Sequence, residues 1–332
     1  MKIGIISDAH MFHRWGITTE MYHNIIVNDF AECDIIVDCG DITDRSNLTA
    51  PQIDALSKLY DNVDKPVYLV AGNHDSLSNT TVASVFESKK NILVIREPVV
   101  YDKMLFVPYT DDIKTMFKQL DKVVKEPVKY AFSHLNITSN IYTSIPFNDT
   151  KKLHKYAEIW FNGHIHNDEK NETAFGKVYN IGACSSLTFG DTHTPCYSIY
   201  DTEEDYLETK GINNCILHRS FSINSKLGDI GLCYSEIEYA TRYYRMRTKF
   251  YLPNNNDSLD IRRKIKEKLE QNPNIISIVF DYIKDDTKKE TKKQEKEIKI
   301  TQKITLMQQL FEHFEQDTQI ALSDDIKKEL MS

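Results

Sequence analysis

No stretch of the 332-residue chain approaches the ~20 apolar residues that a bilayer-spanning helix requires. The opening MKIGIISDAH lacks a basic n-region, and Asp8 and His10 interrupt its apolar run too early for a signal peptide. It reads as a buried strand. The six cysteines (Cys33, Cys39, Cys184, Cys196, Cys215 and Cys233) contain no CxxC pair and no disulfide-like spacing, so reduced thiols in a cytoplasmic protein are expected. No internal repeat is present. What remains is the composition of a globular chain, 41% hydrophobic and 27% charged, long enough for two domains.

A net charge of −8 argues against a large non-specific nucleic-acid binder, but the charge is unevenly spread. Residues 1–241 carry 22 basic and 33 acidic side chains, whereas residues 242–332 carry 19 and 16. Within Arg242–Lys268 there are 9 basic residues against 3 acidic ones. This part can face a polyanion; a solvated charged helix is the alternative.

The first ~200 residues alternate short apolar runs with amphipathic segments, the pattern of an α/β domain. Strands are expected at Lys2–Ser7, Ile35–Cys39, Val67–Val70, Ile92–Ile95, Met104–Val107, Lys129–Ser133, Ile159–Asn162, Val178–Ile181 and Tyr197–Tyr200. Helices are expected at Thr19–Phe30, Ala50–Tyr60, Thr80–Lys89, Asp111–Val124 and Lys151–Tyr156. Beyond Thr241, a strand at Tyr243–Leu252, a basic helix at Leu259–Gln271 and a strand at Ile275–Tyr282 make a compact β-α-β unit. Lys284–Lys299 is charged and nearly free of apolar residues, as in a solvated linker. Ile304, Met307, Leu310, Phe311 and Phe314 then form an apolar stripe, followed by a short helix near Asp324–Met331.

Nearly every polar cluster falls just after a strand, where open α/β sheets place their ligands. In order these are Asp8-Ala9-His10, Gly40-Asp41-Ile42-Thr43-Asp44-Arg45, Gly72-Asn73-His74-Asp75, Ser133-His134 and Gly163-His164-Ile165-His166. One such fragment is a weak signal, but five in succession are hard to reconcile with structural turns. Phosphodiester hydrolysis at neutral pH needs a strong nucleophile and help for a poor leaving group. Two divalent cations ~3.5–4 Å apart supply both. Mixed imidazole, carboxylate and amide donors suit Mn²⁺, Fe²⁺ or Zn²⁺ better than Mg²⁺ or Ca²⁺. A two-metal site needs one central carboxylate, and Asp41 is the natural bridge.

The series D-x-H, G-D-x-x-D, G-N-H-D, H, G-H-x-H resembles the calcineurin-like metallophosphoesterases over roughly the first 200 residues. The resemblance implies a sandwich of two mixed sheets flanked by helices. It implies a first metal held by Asp8, His10, Asp41 and His166, and a second held by Asp41, Asn73, His134 and His164. His74 would be the general acid, oriented by Asp75. Arg45 is either a phosphate neutraliser or a structural ion-pair partner. The other histidines (His13, His23, His154, His193, His218 and His313) lie outside these motifs and are read as structural.

The superfamily spans phosphatases, nucleotidases and nucleases. The segment Val178–Asp191, with its Leu187-Thr188-Phe189-Gly190-Asp191, resembles SbcD-type repair nucleases and, more closely, phage recombination endonuclease subunits. Met11-Phe12-His13 departs from the Leu-Gly usual after D-x-H, and Asp44 matches the bacterial and phage branch. The expected organisation is a nuclease domain (1–240), a DNA-capping β-α-β domain (241–283) with Arg262, Arg263 and Lys264 as DNA contacts, a charged linker (284–303) and C-terminal docking helices (304–332). The expected activity is DNA exonuclease or endonuclease hydrolysis with two Mn²⁺ ions. The expected partners are DNA, an SMC-like coiled-coil ATPase and a second copy of the chain, with no membrane. A metallophosphatase acting on a nucleotide or phosphoprotein, and a DNA-end-binding scaffold of an ATPase, are the alternatives.

Overall fold

The computed structural model describes residues 1–77, 80–138, 145–174, 176–223, 227–252 and 258–283. Two six-stranded mixed sheets form the body. The first runs, edge to edge, through Tyr206–Gly211, Cys196–Asp201, Lys2–Ile6, Ile35–Asp38, Val67–Val70 and Ile92–Ile95. The second runs through Glu169–Thr173, Gly176–Asn180, Ala157–Asn162, Val128–Ser133, Met104–Val107 and Val99–Tyr101. The expected α/β sandwich of two mixed sheets with flanking helices is what forms.

The period-2 geometry of a strand explains the layering. Ile3, Ile5, Ile35, Val37, Tyr68 and Val70 face inward and meet Phe106, Phe132, Ile159 and Phe161 of the opposite sheet. Phe106, Phe132 and Phe161 stack in series, with ring centres 5.5 and 5.1 Å apart. The alternate residues face outward. Ile6, Ile36, Val67 and Leu69 join a core on the far side of the first sheet, and Leu105, Val107, Ala131 and Trp160 join one on the far side of the second.

Several expected helices are shorter or of another type: Ala50–Ser57 stops short of Tyr60, and the expected Lys151–Tyr156 falls in a 3₁₀ helix, Phe147–Lys155. Thr19–Asn24 is α-helical but continues as a π-helix over Ile25–Asp29. This wider turn brings Phe30 over Gly4, where a Cβ would stand 2.6 Å from the ring. Only Val82–Phe86 is helical within the expected Thr80–Lys89, and as a 3₁₀ turn. Its valines restrict χ1 against a preceding α turn.

The small unit is a parallel three-stranded sheet in the order Ile216–Ser222, Arg245–Leu252, Ile275–Tyr282. Its first strand precedes the expected boundary at residue 241, so the unit as folded is β-α-β-α-β, with helices Leu227–Ala240 and Ser258–Leu269. Ile261, Ile265 and Leu269 are buried on one face of the second helix, as the helical spacing requires. Leu217, Met246 and Phe250 join the same core as Ile6 and Ile36, so this sheet is packed on the body. The expected linker 284–303 and docking helices 304–332 lie outside the described residues.

Candidate metal centre

Lys2–Ile6, Ile35–Asp38 and Val67–Val70 are mutually parallel, and so are Val128–Ser133 and Ala157–Asn162. Each pair of neighbours therefore ends at a common edge, and all five polar clusters follow those ends. Three backbone features fold the clusters tightly. Asp8, His10, Asp41 and His164 adopt φ of 53°, 44°, 55° and 68°, the left-handed region that costs a non-glycine residue roughly 1–2 kcal/mol. Gly40 has φ 104°, a value side chains rarely adopt, and turns the chain into Asp41. Gly163 stands so close to the Cys39 carbonyl that a Cβ would lie 2.8 Å from its oxygen. Of the ten non-glycine residues with such φ among the described residues, four are these ligand positions, and backbone strain of this kind is characteristic of functional sites.

The seven expected donors come together. Donor atoms of Asp8, His10 and His166 lie within 4.8 Å of one another, and so do those of Asp41, His134 and His164. His10 Nε2 is 3.9 Å from oxygens of both Asp8 and Asp41 and 3.2 Å from His166 Nε2. Asn73 Oδ1 lies 3.2 Å from His134 Nε2 and 3.0 Å from His164 Nδ1. Asp41 Oδ2 is 3.3 Å from His134 Nε2, so Asp41 stands between the two groups as a bridge must. Asp8 Oδ1 and His10 Nδ1 are buried without a hydrogen-bond partner among the described residues. Buried polar atoms rarely go unpaired, and an acceptor aimed into a cluster of imidazoles fits a cation.

Neighbouring groups orient the ligands. His134 Nδ1 donates to the Cys39 carbonyl at 2.6 Å, which leaves Nε2 facing Asp41 and Asn73. Asp191 Oδ1 lies 3.5 Å from His166 Nδ1, and its other oxygen accepts from the amides of Leu187 and Thr188. Ser7 Oγ donates to Asp8 Oδ2, which also accepts from the His164 amide at 3.0 Å. Burial pushes His10 down to about 3 and His164 to about 4, so both are held as the neutral imidazoles that ligation needs. Burial alone would raise Asp41, but the His134 charge and hydrogen bond hold it below the usual carboxylate range. For His134 the burial effect is likewise outweighed by Asp41, which raises it to about 10.

His74 is exposed at the mouth, its ring centre 4.7 Å from that of His10. Its amide donates to Asp41 Oδ1 at 2.8 Å, and its Nδ1 is 2.8 Å from the Asp44 carbonyl. The expectation that Asp75 orients His74 is corrected: Asp75 instead accepts from the buried amides of Ile42 and Thr43 at 3.2 and 2.9 Å. Through those amides the carboxylate ties the two ligand loops together, and the Asp44 carbonyl takes over the imidazole. Arg45 is exposed and forms no ion pair among the described residues.

Arg262, Arg263 and Lys264 are not brought to this cluster. They lie on the exposed face of the second small-unit helix, where Asp260 pairs with Arg263 at 2.7 Å and Lys264 at 2.8 Å, and Arg262 lies over the Phe280 ring. Two residues at the site escaped the sequence reading. Asp191 was noted only as part of a segment. Tyr109, whose ring centre is 5.3 Å from that of His164, follows the Met104–Val107 strand end, the position shared by every other cluster. All six cysteines are free and buried, none of them in these groups.

The family model described as calcineurin-like phosphoesterase matches residues 1–168. No curated protein matches the chain. Among solved structures, a novel archaeal phosphodiesterase is 19% identical, covering 64% of this chain and 99% of its own at a TM-score of 0.39. The phosphopantetheinyl hydrolase of Mycobacterium tuberculosis is 12% identical, covering 55% and 89% at 0.36. The GAP50 anchor of the Plasmodium inner membrane complex is 13% identical, covering 65% and 90% at 0.40.

Proposed function

The chain belongs to the calcineurin-like phosphoesterase family and is a metal-dependent phosphoesterase, and from that premise we propose that it is the nuclease subunit of an SbcCD-like DNA repair or recombination complex. It hydrolyses DNA phosphodiesters with two Mn²⁺-class ions. Asp8, His10, Asp41 and His166 would hold the first ion, and Asp41, Asn73, His134 and His164 would hold the second. Ions so placed polarise the phosphoryl group and activate water for in-line attack.

The residues of the chain do the rest. Asp75 locks the Asp41 and Asn73 loops to each other, and Asp191 fixes the ring of His166. The Asp44 carbonyl accepts a hydrogen bond from His74 Nδ1–H, so Nε2 is the nitrogen that carries a proton to the leaving oxygen.

One observation carries the choice of a polymer over a small phosphoester. The three-stranded unit packs against the loop that follows His10 and the segment that holds His166, through Arg247, Trp15 and Phe189. A phosphomonoester needs no second unit beside the metals, whereas a nucleic-acid strand extends past them. Turnover of linear DNA with Mn²⁺, compared with p-nitrophenyl phosphate, tests this reading. Nucleotide release from DNA supports it; turnover of the monoester alone makes the protein a metallophosphatase.

The same reading assigns the stripe Ile304, Met307, Leu310, Phe311 and Phe314 to a contact with an SMC-like coiled-coil ATPase. Leu310→Asp with Phe311→Asp should then abolish co-purification with the ATPase and spare Mn²⁺-dependent hydrolysis.

A further inference from the structure

The loop that carries Asp8 and His10 continues into His13-Arg14-Trp15-Gly16. It is fastened at both ends: His13 and Gly16 close successive turns with amide bonds to the His10 and His13 carbonyls, both 3.1 Å. Ile17 then donates to Ser185 Oγ at 2.8 Å, and Ser185 donates to the Ala9 carbonyl at 2.5 Å. A Cβ at Gly16 would stand 3.0 Å from the His10 carbonyl carbon, so only glycine lets the loop turn back this closely. Trp15 is thereby presented, half-buried, five residues beyond His10 on the same loop.

Two guanidinium groups lie over its ring. Arg14 Cζ is 4.1 Å from the indole centre and Arg247 Cζ is 4.2 Å away. Arg247 comes from the small sheet and also lies 5.1 Å from the Phe189 ring centre. Phe189 is two residues from Asp191, the partner of His166. Arg247 is held rigidly: Nε donates to Ser277 Oγ at 3.0 Å and Nη1 donates to His218 Nε2 at 3.0 Å. A guanidinium can only donate, so His218 Nε2 is the acceptor, and its Nδ1 faces Ser186 Oγ at 3.3 Å. Burial keeps that imidazole neutral.

Among the described residues neither guanidinium meets a carboxylate. Cation–π attraction holds each one in place but leaves its charge uncompensated. Two like charges on one indole repel; burial, and after it the Arg14 charge, lowers the hold of Arg247 on its proton. Such a pair is stable with an anion in reach, and the planar fork of arginine matches the oxygens of a phosphate. The pair belongs to the loop that leaves His10 and to the strand that begins the basic stretch of the chain. A ligand with one phosphate at the metals and another here must carry phosphates in series.

We propose that Arg14 and Arg247, held over Trp15 where the metal-ligand loop meets the small sheet, clamp a phosphate of the nucleic-acid strand next to the one being cut. This rests on the nuclease reading. The basic cluster Arg262, Arg263 and Lys264 on the helix Ser258–Leu269 is different, because Asp260 already occupies two of these three groups.

The chain has two tryptophans, and Trp160 is fully buried in the body, so a change in indole emission on ligand binding reports Trp15. A short phosphorothioate oligonucleotide, which resists cleavage, is titrated into the Mn²⁺-loaded protein. It should quench the emission of the parent chain and leave that of Trp15→Phe unaltered, while anisotropy of a labelled strand gives the affinity of each variant. Arg14→Gln and Arg247→Gln should each weaken binding roughly tenfold. Each should flatten the log–log salt dependence by about 0.7–0.9. In turnover, KM for the oligonucleotide should rise more than kcat falls. Arg14 is exposed and forms no hydrogen bond or ion pair among the described residues, so Arg14→Gln stays informative even if Arg247→Gln disturbs the small sheet.

An unchanged salt slope in Arg14→Gln, with DNA still cut, overturns the clamp and leaves the nuclease reading intact. Quenching by inorganic phosphate equal to that by the oligonucleotide also overturns it. A parent protein that binds no oligonucleotide yet turns over p-nitrophenyl phosphate overturns both.

Discussion

Gly72 offers a direct probe of the Asp41 position. Its φ lies outside the left-handed region, so alanine brings no backbone strain of its own. A methyl carbon there would stand 2.8 Å from Asp41 Cγ and closer still to Asp41 Oδ1 and its amide nitrogen. Ordinary contact between carbons is about 3.5–4.0 Å, so Asp41 must retreat by about 0.7 Å or more. It has little freedom to do so, because Oδ1 also accepts from the His74 amide and Oδ2 faces His134. Overpacking of this kind costs about 1–3 kcal/mol, which lowers the melting temperature by roughly 3–10 °C. Activity should suffer more, since a displacement of about 1 Å in a catalytic group can cost ~10²-fold. Gly231→Ala is the control: it lies in the Leu227–Ala240 helix with nothing within 4 Å of a new methyl, and should add ~0.4–1 kcal/mol of stability. Metal content and turnover on a phosphodiester, measured with thermal melting, decide the matter. Full metal content and near-normal turnover in Gly72→Ala would refute the placement of Asp41 between the two groups.

Further outcomes follow from other parts of the molecule. His74→Ala should lower turnover ~10²–10⁴-fold with metal content retained; metal loss in step with activity would make His74 a ligand. Replacing Arg262, Arg263 and Lys264 by alanine should flatten the salt dependence of DNA binding by less than about 0.9 per residue, because Asp260 already engages two of them. An unaltered slope would mean the patch is only solvated. Burial pushes the Asp38 carboxyl up to about 7 from 3.8, with Tyr22 and Tyr60 hydrogen-bonded to it. The folded chain thus keeps a proton that the unfolded chain releases, and stability falls as pH rises between those values. The melting temperature of Asp38→Asn relative to the parent should therefore be higher at about pH 8 than at about pH 4. The opposite trend would show an Asp38 ionised in the fold.

The convergence of the seven candidate ligands is legible because each cluster follows a short apolar strand and is polar beyond what a turn needs. Asp8, Asp41 and His134 needed no knowledge of the partner sheet. The roles of Asp75, Asp191 and Tyr109 were not legible in that way. Asp75 acts on amides of a loop 32 residues away, and Asp191 acts on a histidine in another segment, so only the folded arrangement assigns them. Strands such as Glu169–Thr173 escaped because an edge strand of charged and polar residues has no apolar alternation to read. The small unit was half legible. Ile275–Tyr282 alternates, but Ile216–Ser222 reveals itself only through its parallel pairing with Arg245–Leu252. Arg14 and Trp15 carried no motif, and their meaning comes from Arg247 reaching them across the packed sheet.

On the proposed function these seven residues hold two divalent ions that cut phosphodiesters. Mn²⁺ content per chain, measured by plasma mass spectrometry beside DNA hydrolysis in the parent protein and in His134→Ala, tests it most directly. Two ions and active turnover are expected in the parent, and one ion with nearly all hydrolysis lost in a folded His134→Ala. Two ions and retained hydrolysis in His134→Ala would contradict it.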